Sequence, residues 1–120
     1  MYREYEPDNW QIVMSIVNNE VTFRVAAGWQ GGYTYGRSWK ISSTIMKYDV
    51  VGDVINFYNS SGSVYCCNAK REGLDWYTSS VVKSYADEYA AQGNSLETIK
   101  FDHFVELFLT MDTHRATIAP

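Results

Sequence analysis

The residues best suited to chemistry lie close together in this chain. Gly28–Trp39 reads Gly-Trp-Gln-Gly-Gly-Tyr-Thr-Tyr-Gly-Arg-Ser-Trp and holds four of the eight glycines, four aromatics and one arginine. Glycine frees the backbone for positive φ and for close approach of a ligand. Trp29, Tyr33, Tyr35 and Trp39 supply flat stacking surface, Arg37 supplies planar donors, and Lys40 adds a second cation. That combination suits a ring carrying an anionic group. The glycine spacing matches neither a P-loop nor the dinucleotide fingerprint, and no βαβ unit follows. A phosphate here would therefore meet loop amides together with Arg37 or Lys40.

Two serine-rich segments follow, Ser42-Ser43-Thr44-Ile45 and Ser60-Ser61-Gly62-Ser63-Val64-Tyr65. If strands pair in sequence order, Ser42, Ser43, Ser61, Ser63 and Tyr65 share one end or face of a sheet with Arg37 and Lys40. Those donors suit a phosphate- or sugar-bearing ligand. A solvated strand face uses the same residue types, so the two readings stand side by side at this level.

Catalytic signatures are missing. There is no Gly-x-Ser-x-Gly elbow, and His103 and His114 are the only histidines. No Cys-x-x-Cys or His-Glu-x-x-His spacing occurs. Ile99–Phe104 faintly echoes the exit of a calcium loop, but the positions where its ligands belong hold Gln92, Asn94 and Leu96, with His103 in place of the closing glutamate. The expectation is a protein that is not an enzyme and uses neither metal nor cofactor. Cys66 and Cys67 are adjacent, so on a strand they face opposite ways and are poorly placed to bond each other. Reduced thiols, and with them a cytoplasmic location, are the simplest account. A net charge of −4 with no Lys/Arg run argues against general nucleic-acid binding. No apolar run approaches a membrane span, and Met1–Asp8 has no apolar signal core.

These residues must be held by elements legible from periodicity. The 120 residues fit one domain, with 1–9 as a polar N-terminal arm, 10–69 as a β-meander, 76–112 as a helical part and 113–120 as a tail. Five strands are expected: Trp10–Val17, Val21–Ala27, Trp39–Tyr48, Val54–Tyr58 and Ser63–Ala69. After Gly73 the pattern turns helical. Ser79 or Ser80 is a candidate cap for a helix to Gln92, with Gly93 as its stop, and Asp102 is a candidate cap for Asp102–Met111. Leu96–Phe101 reads equally as a short strand or as the first turns of a helix. The expected class is α+β: a five-stranded antiparallel meander followed by two C-terminal helices.

The run Gly28-Trp29, Gly36, Ser42-Ser43-Thr44-Ile45, Val54-Ile55 and Ser61-Gly62-Ser63-x-Tyr65 resembles a pattern in small phage-encoded proteins of the anti-Thoeris type. The resemblance spans about residues 28–67, and Asn59-Ser60 stands where that pattern carries a basic residue. It implies a homo-oligomeric counter-defence protein that sequesters a cyclic ADP-ribose isomer, a nucleotide-derived signal, without cleaving it. Two other functions fit the same residues. One is an inhibitor that binds a host defence or restriction protein through its surface aromatics, in the manner of an anti-CRISPR factor. The other is a phage structural or assembly protein.

Overall fold

Apolar residues alternate along the first two long strands of the sequence, and that alternation builds a hairpin. β2 (Asn9–Val17) and β3 (Glu20–Trp29) pair antiparallel in unbroken register from Asn9 opposite Gly28 to Val17 opposite Glu20. Asn18 and Asn19 both take positive φ, the conformation of a two-residue primed turn that asparagine tolerates. The computed structural model describes residues 3–31 and 36–118, with side chains as far as Met111.

The remaining elements are β1 (Arg3–Tyr5), β4 (Ser38–Ile41), β5 (Ile45–Val51), β6 (Val54–Asn59), β7 (Ser63–Asn68), α1 (Trp76–Ala91), β8 (Ser95–Ile99) and α2 (Phe101–Ile118). They form two four-stranded sheets, one ordered β4-β3-β2-β8 and the other β1-β7-β6-β5. Among the described residues the class is α+β with two α-helices, but the five-stranded meander is corrected to eight strands in two sheets.

The decisive departure lies in the stretch read as one strand, Trp39–Tyr48. It breaks at Ser42-Ser43-Thr44: β4 pairs with β3 in one sheet, and β5 pairs with β6 in the other. Alternation continues across the break in the sequence, so periodicity does not reveal it. A local hydrogen bond enforces it. The Ser42 backbone N–H continues the ladder to the Val25 carbonyl at 2.9 Å, and the Ser42 hydroxyl accepts from the Val25 N–H at 2.8 Å. One residue thus satisfies both groups of Val25 while the chain leaves for the second sheet.

The sheets enclose one core. Trp10, Ile12, Phe23 and Val25 from the first face Ile45, Ile55, Phe57, Tyr65 and Cys67 from the second. Phe101, Phe104 and Phe108 of α2 join them, stacking among themselves and meeting Phe23, Tyr48 and Phe57 edge-on. A smaller cluster, Val13, Ala26, Val82 and Leu96, glues α1 to the outer face of the first sheet.

The cap of α1 is Asp75, not Ser79 or Ser80: its carboxylate accepts from the Thr78 N–H at 2.8 Å and starts the helix at Trp76. Gly93, at φ 79°, ends that helical segment as expected. Leu96–Phe101 resolves into β8, antiparallel to β2. Asp102 sits inside the first turn of α2 rather than at its cap, and the helix runs past Met111 to Ile118.

Candidate functional site

At one edge the two sheets do not close, and a crevice of about 690 Å³ opens between them. β4 forms one wall with Trp39, Lys40 and Ile41, and the chain crossing adds Ser42 and Ser43. The opposite wall is the β6–β7 tip, Ser61, Gly62 and Ser63, with Tyr65 deeper in. β1 supplies Arg3 and Tyr5. It lies parallel to β7, with Arg3 opposite Ser63 and Tyr5 opposite Tyr65. Alternation along β1 therefore sends Arg3 and Tyr5 to the same side.

Hydroxyls run in a chain along the crevice. Ser43 donates to the Ser61 hydroxyl at 2.8 Å and accepts from the Ser61 N–H at 3.0 Å. Ser61 and Ser63 share a hydrogen bond at 3.3 Å. The buried Asn59 amide donates to the Ser63 hydroxyl at 3.1 Å and to the Ser63 carbonyl at 3.2 Å. Each hydroxyl has one proton. Among the described residues, Ser43 spends its proton on Ser61, and one proton serves the Ser61–Ser63 bond. Whichever of those two gives it, the other retains a proton for an incoming acceptor.

Cations flank the chain. The Lys40 ammonium stands 5.3 Å from the centre of the Tyr5 ring. Among the described residues neither Arg3 nor Lys40 is paired with a carboxylate. Tyr65 is 3% exposed, and burial, with smaller contributions from Tyr5 and Cys67, pushes its phenol up to about 12. It therefore stays a neutral hydroxyl at any physiological pH. Tyr5 and Tyr65 lie with ring centres 4.9 Å apart, forming an aromatic floor.

Seven of the residues expected to recognise a ligand thus meet here: Trp39, Lys40, Ser42, Ser43, Ser61, Ser63 and Tyr65. Trp29 occupies an adjoining groove that shares Tyr5, Trp39 and Lys40 with the crevice. Its indole N–H donates to the Glu6 carbonyl at 2.9 Å. Arg37 stands apart from the serines. It binds the Asp75 carboxylate at 2.8 Å and lies over the Trp76 ring at 5.3 Å, so its charge is already matched at the start of α1. Tyr33 and Tyr35 lie outside the described residues.

The chain matches no family model, no curated protein and no solved structure. Its chemistry is therefore read from its own geometry. Arg3 and Tyr5 are the contributors that sequence reasoning missed. They fall in a segment read as an arm, and a three-residue strand carries too few positions for alternation to announce it.

Elsewhere the thiols face apart as expected. Cys67 is buried in the core, and burial, with a smaller contribution from Cys66, pushes its thiol far above the usual range. Cys66 is half-buried on the opposite face, and burial first, then the charges of Glu4, Glu6 and Asp49, raise its thiol as well. Neither has the lowered thiol of a reactive cysteine. Among the described residues no helix is long and apolar enough to cross a membrane.

Proposed function

We propose that this protein is a non-enzymatic binder that sequesters a phosphorylated, nucleotide-derived small molecule in the inter-sheet crevice. The observation that carries the reading is the convergence of Arg3 and Lys40, neither matched by a described carboxylate, on the Ser43–Ser61–Ser63 hydroxyl chain. Two cations suit one or two phosphate groups, and the spare hydroxyl proton suits a phosphate or ribose oxygen. The Tyr5 ring offers stacking surface for a base. The volume lies within the usual range for small-molecule sites. No carboxylate, imidazole or thiol lines the crevice among the described residues, and burial keeps the Tyr65 phenol protonated, so it offers no phenolate as a base. Those features favour holding a ligand over cleaving it. The serine motifs that carry the resemblance to anti-Thoeris sponges are the ones lining this crevice, which supports a phage counter-defence role acting on a cyclic ADP-ribose isomer. A homo-oligomer belongs to the same reading.

Calorimetry with cyclic ADP-ribose isomers and cyclic dinucleotides tests it. Binding should be tight, and the ligand should be recovered chemically unchanged after heat denaturation. Each of Arg3→Ala and Lys40→Ala should weaken binding about 10- to 100-fold, the range for one charge-assisted hydrogen bond. The absence of binding by all of these compounds, or full affinity in both variants, would refute the assignment.

A second reading has its own support. Trp76 is 72% exposed, stacks on Tyr77 and carries the Arg37 guanidinium over its face. Trp, Tyr and Arg grouped on a surface are the composition of a protein-binding hot spot. An inhibitor of a host protein would lose its specific partner in a host-lysate pull-down when Trp76→Ala is introduced, while keeping its melting temperature.

A further inference from the structure

A second cavity lies on the other side of β4, between α1 and the outer face of the first sheet. It measures about 210 Å³ and is walled by Trp39, Ile41, Tyr85, Tyr89 and Leu96, with Arg24 as its one charged residue. Arg24 sits on β3 opposite Val13, so its stem crosses the apolar seam that α1 covers. An arginine stem lying along apolar surface is ordinary. The head group is not. Its Nε is buried and has no hydrogen-bond partner, and among the described residues no carboxylate pairs with Arg24. A buried donor left unmatched destabilises a fold and calls for an explanation.

We propose that this cavity is a binding site for a small planar carboxylate, with Arg24 as the anchor. The guanidinium edge, which includes Nε, matches a carboxylate through two parallel hydrogen bonds and would satisfy the orphaned donor. The remaining walls are apolar and aromatic, and Trp39 and Tyr85 already meet edge-to-face at 5.8 Å. A flat ring can join such an arrangement, whereas a hydrated phosphate ester cannot shed its water against it. The volume is below the range of drug-sized sites and corresponds to about seven water-sized groups. That admits a benzoate-sized guest and excludes a nucleotide. The site is therefore chemically distinct from the crevice, although Trp39 and Ile41 of β4 border both.

The test is titration of the full chain with benzoate, followed by two-dimensional NMR of the arginine Nε–H and tryptophan indole signals. Benzoate at concentrations on the order of 10 mM, where a millimolar binder approaches saturation, should shift the Arg24 Nε–H and Trp39 signals in a saturable way. Benzamide, which has the same shape without the charge, should bind at least ~10-fold more weakly, as should Arg24→Gln. Nucleotide binding in the crevice should be unchanged in Arg24→Gln, which separates this site from the proposed function. Equal binding of benzoate and benzamide would overturn the proposal. So would a benzoate response confined to Arg3 and Lys40. The benzamide comparison uses the wild-type chain and holds even where the variant fails to fold.

Discussion

Ser42→Ala should destabilise the protein more than its size suggests. Ser42 is 5% exposed, and its hydroxyl accepts from the Val25 N–H at 2.8 Å and donates to the Ser43 carbonyl at 2.7 Å. Alanine removes one oxygen and leaves both backbone groups without that partner, the Val25 N–H in a buried position and the Ser43 carbonyl in a partly buried one. An unmatched buried group costs about 1–3 kcal/mol. For a chain of 120 residues the unfolding entropy is about 0.25 kcal/mol per degree, so the melting temperature should fall by about 4–12 °C. Ser43→Ala is the control. Its hydroxyl contacts Ser61 at the surface, and its removal should lower the melting temperature by no more than about 2 °C, the effect of a surface change near 0.5 kcal/mol. Calorimetric unfolding of both variants measures the contrast. Equal melting temperatures for Ser42→Ala and Ser43→Ala would refute the claim that the Ser42 hydroxyl replaces a ladder partner at the sheet crossing.

Gly28→Ala should destabilise by about 1–3 kcal/mol as an overpacked contact, because a Cβ there collides with the Thr78 hydroxyl and comes within 2.8 Å of the Asn9 side-chain oxygen; chemical denaturation reads the loss. A Gly28→Ala protein of wild-type stability would show that α1 does not press on β3 as described. Burial alone would push the Asp75 carboxyl up, but hydrogen bonds from Thr78 and Asn9 together with the Arg37 charge outweigh it and hold the group below the usual carboxylate range. A carboxyl lowered in the folded state adds stability that is complete above its unfolded value, near pH 4, and is lost as pH falls through the folded value. Stability measured from pH 5 downward should therefore fall less steeply in Asp75→Asn than in wild type, and parallel curves would count against the cap.

Much of this architecture was legible where pattern and burial coincide. The β2–β3 and β6–β7 pairs, the change to helix after Gly73 and the stop at Gly93 follow from alternation and turn chemistry. The sheet crossing was not, because Trp39, Ile41 and Ile45 keep one rhythm through a break made by a serine side chain. The Asp75 cap precedes an exposed Trp76, so no apolar periodicity marks where α1 begins. Site residues showed the same division. Serines grouped in sequence were also grouped in space, since two turns bring them to one edge. Arg37 was misplaced because only the folded chain sets Asp75 beside it. Arg3 and Tyr5 required a parallel pairing with β7 that no local signal announces.

That parallel pairing has a kinetic consequence. β1 can join only after β7 has been laid down beside β6, since a strand three residues long has too few ladder bonds to stand alone. Closing so wide a chain loop is entropically slow, and contacts distant in sequence form late. The crevice therefore gains Arg3 and Tyr5 after the core has assembled. Refolding protein should recover its tryptophan burial before the anion binding proposed for the crevice, and in the native state β1 should be the first strand to exchange its amide hydrogens.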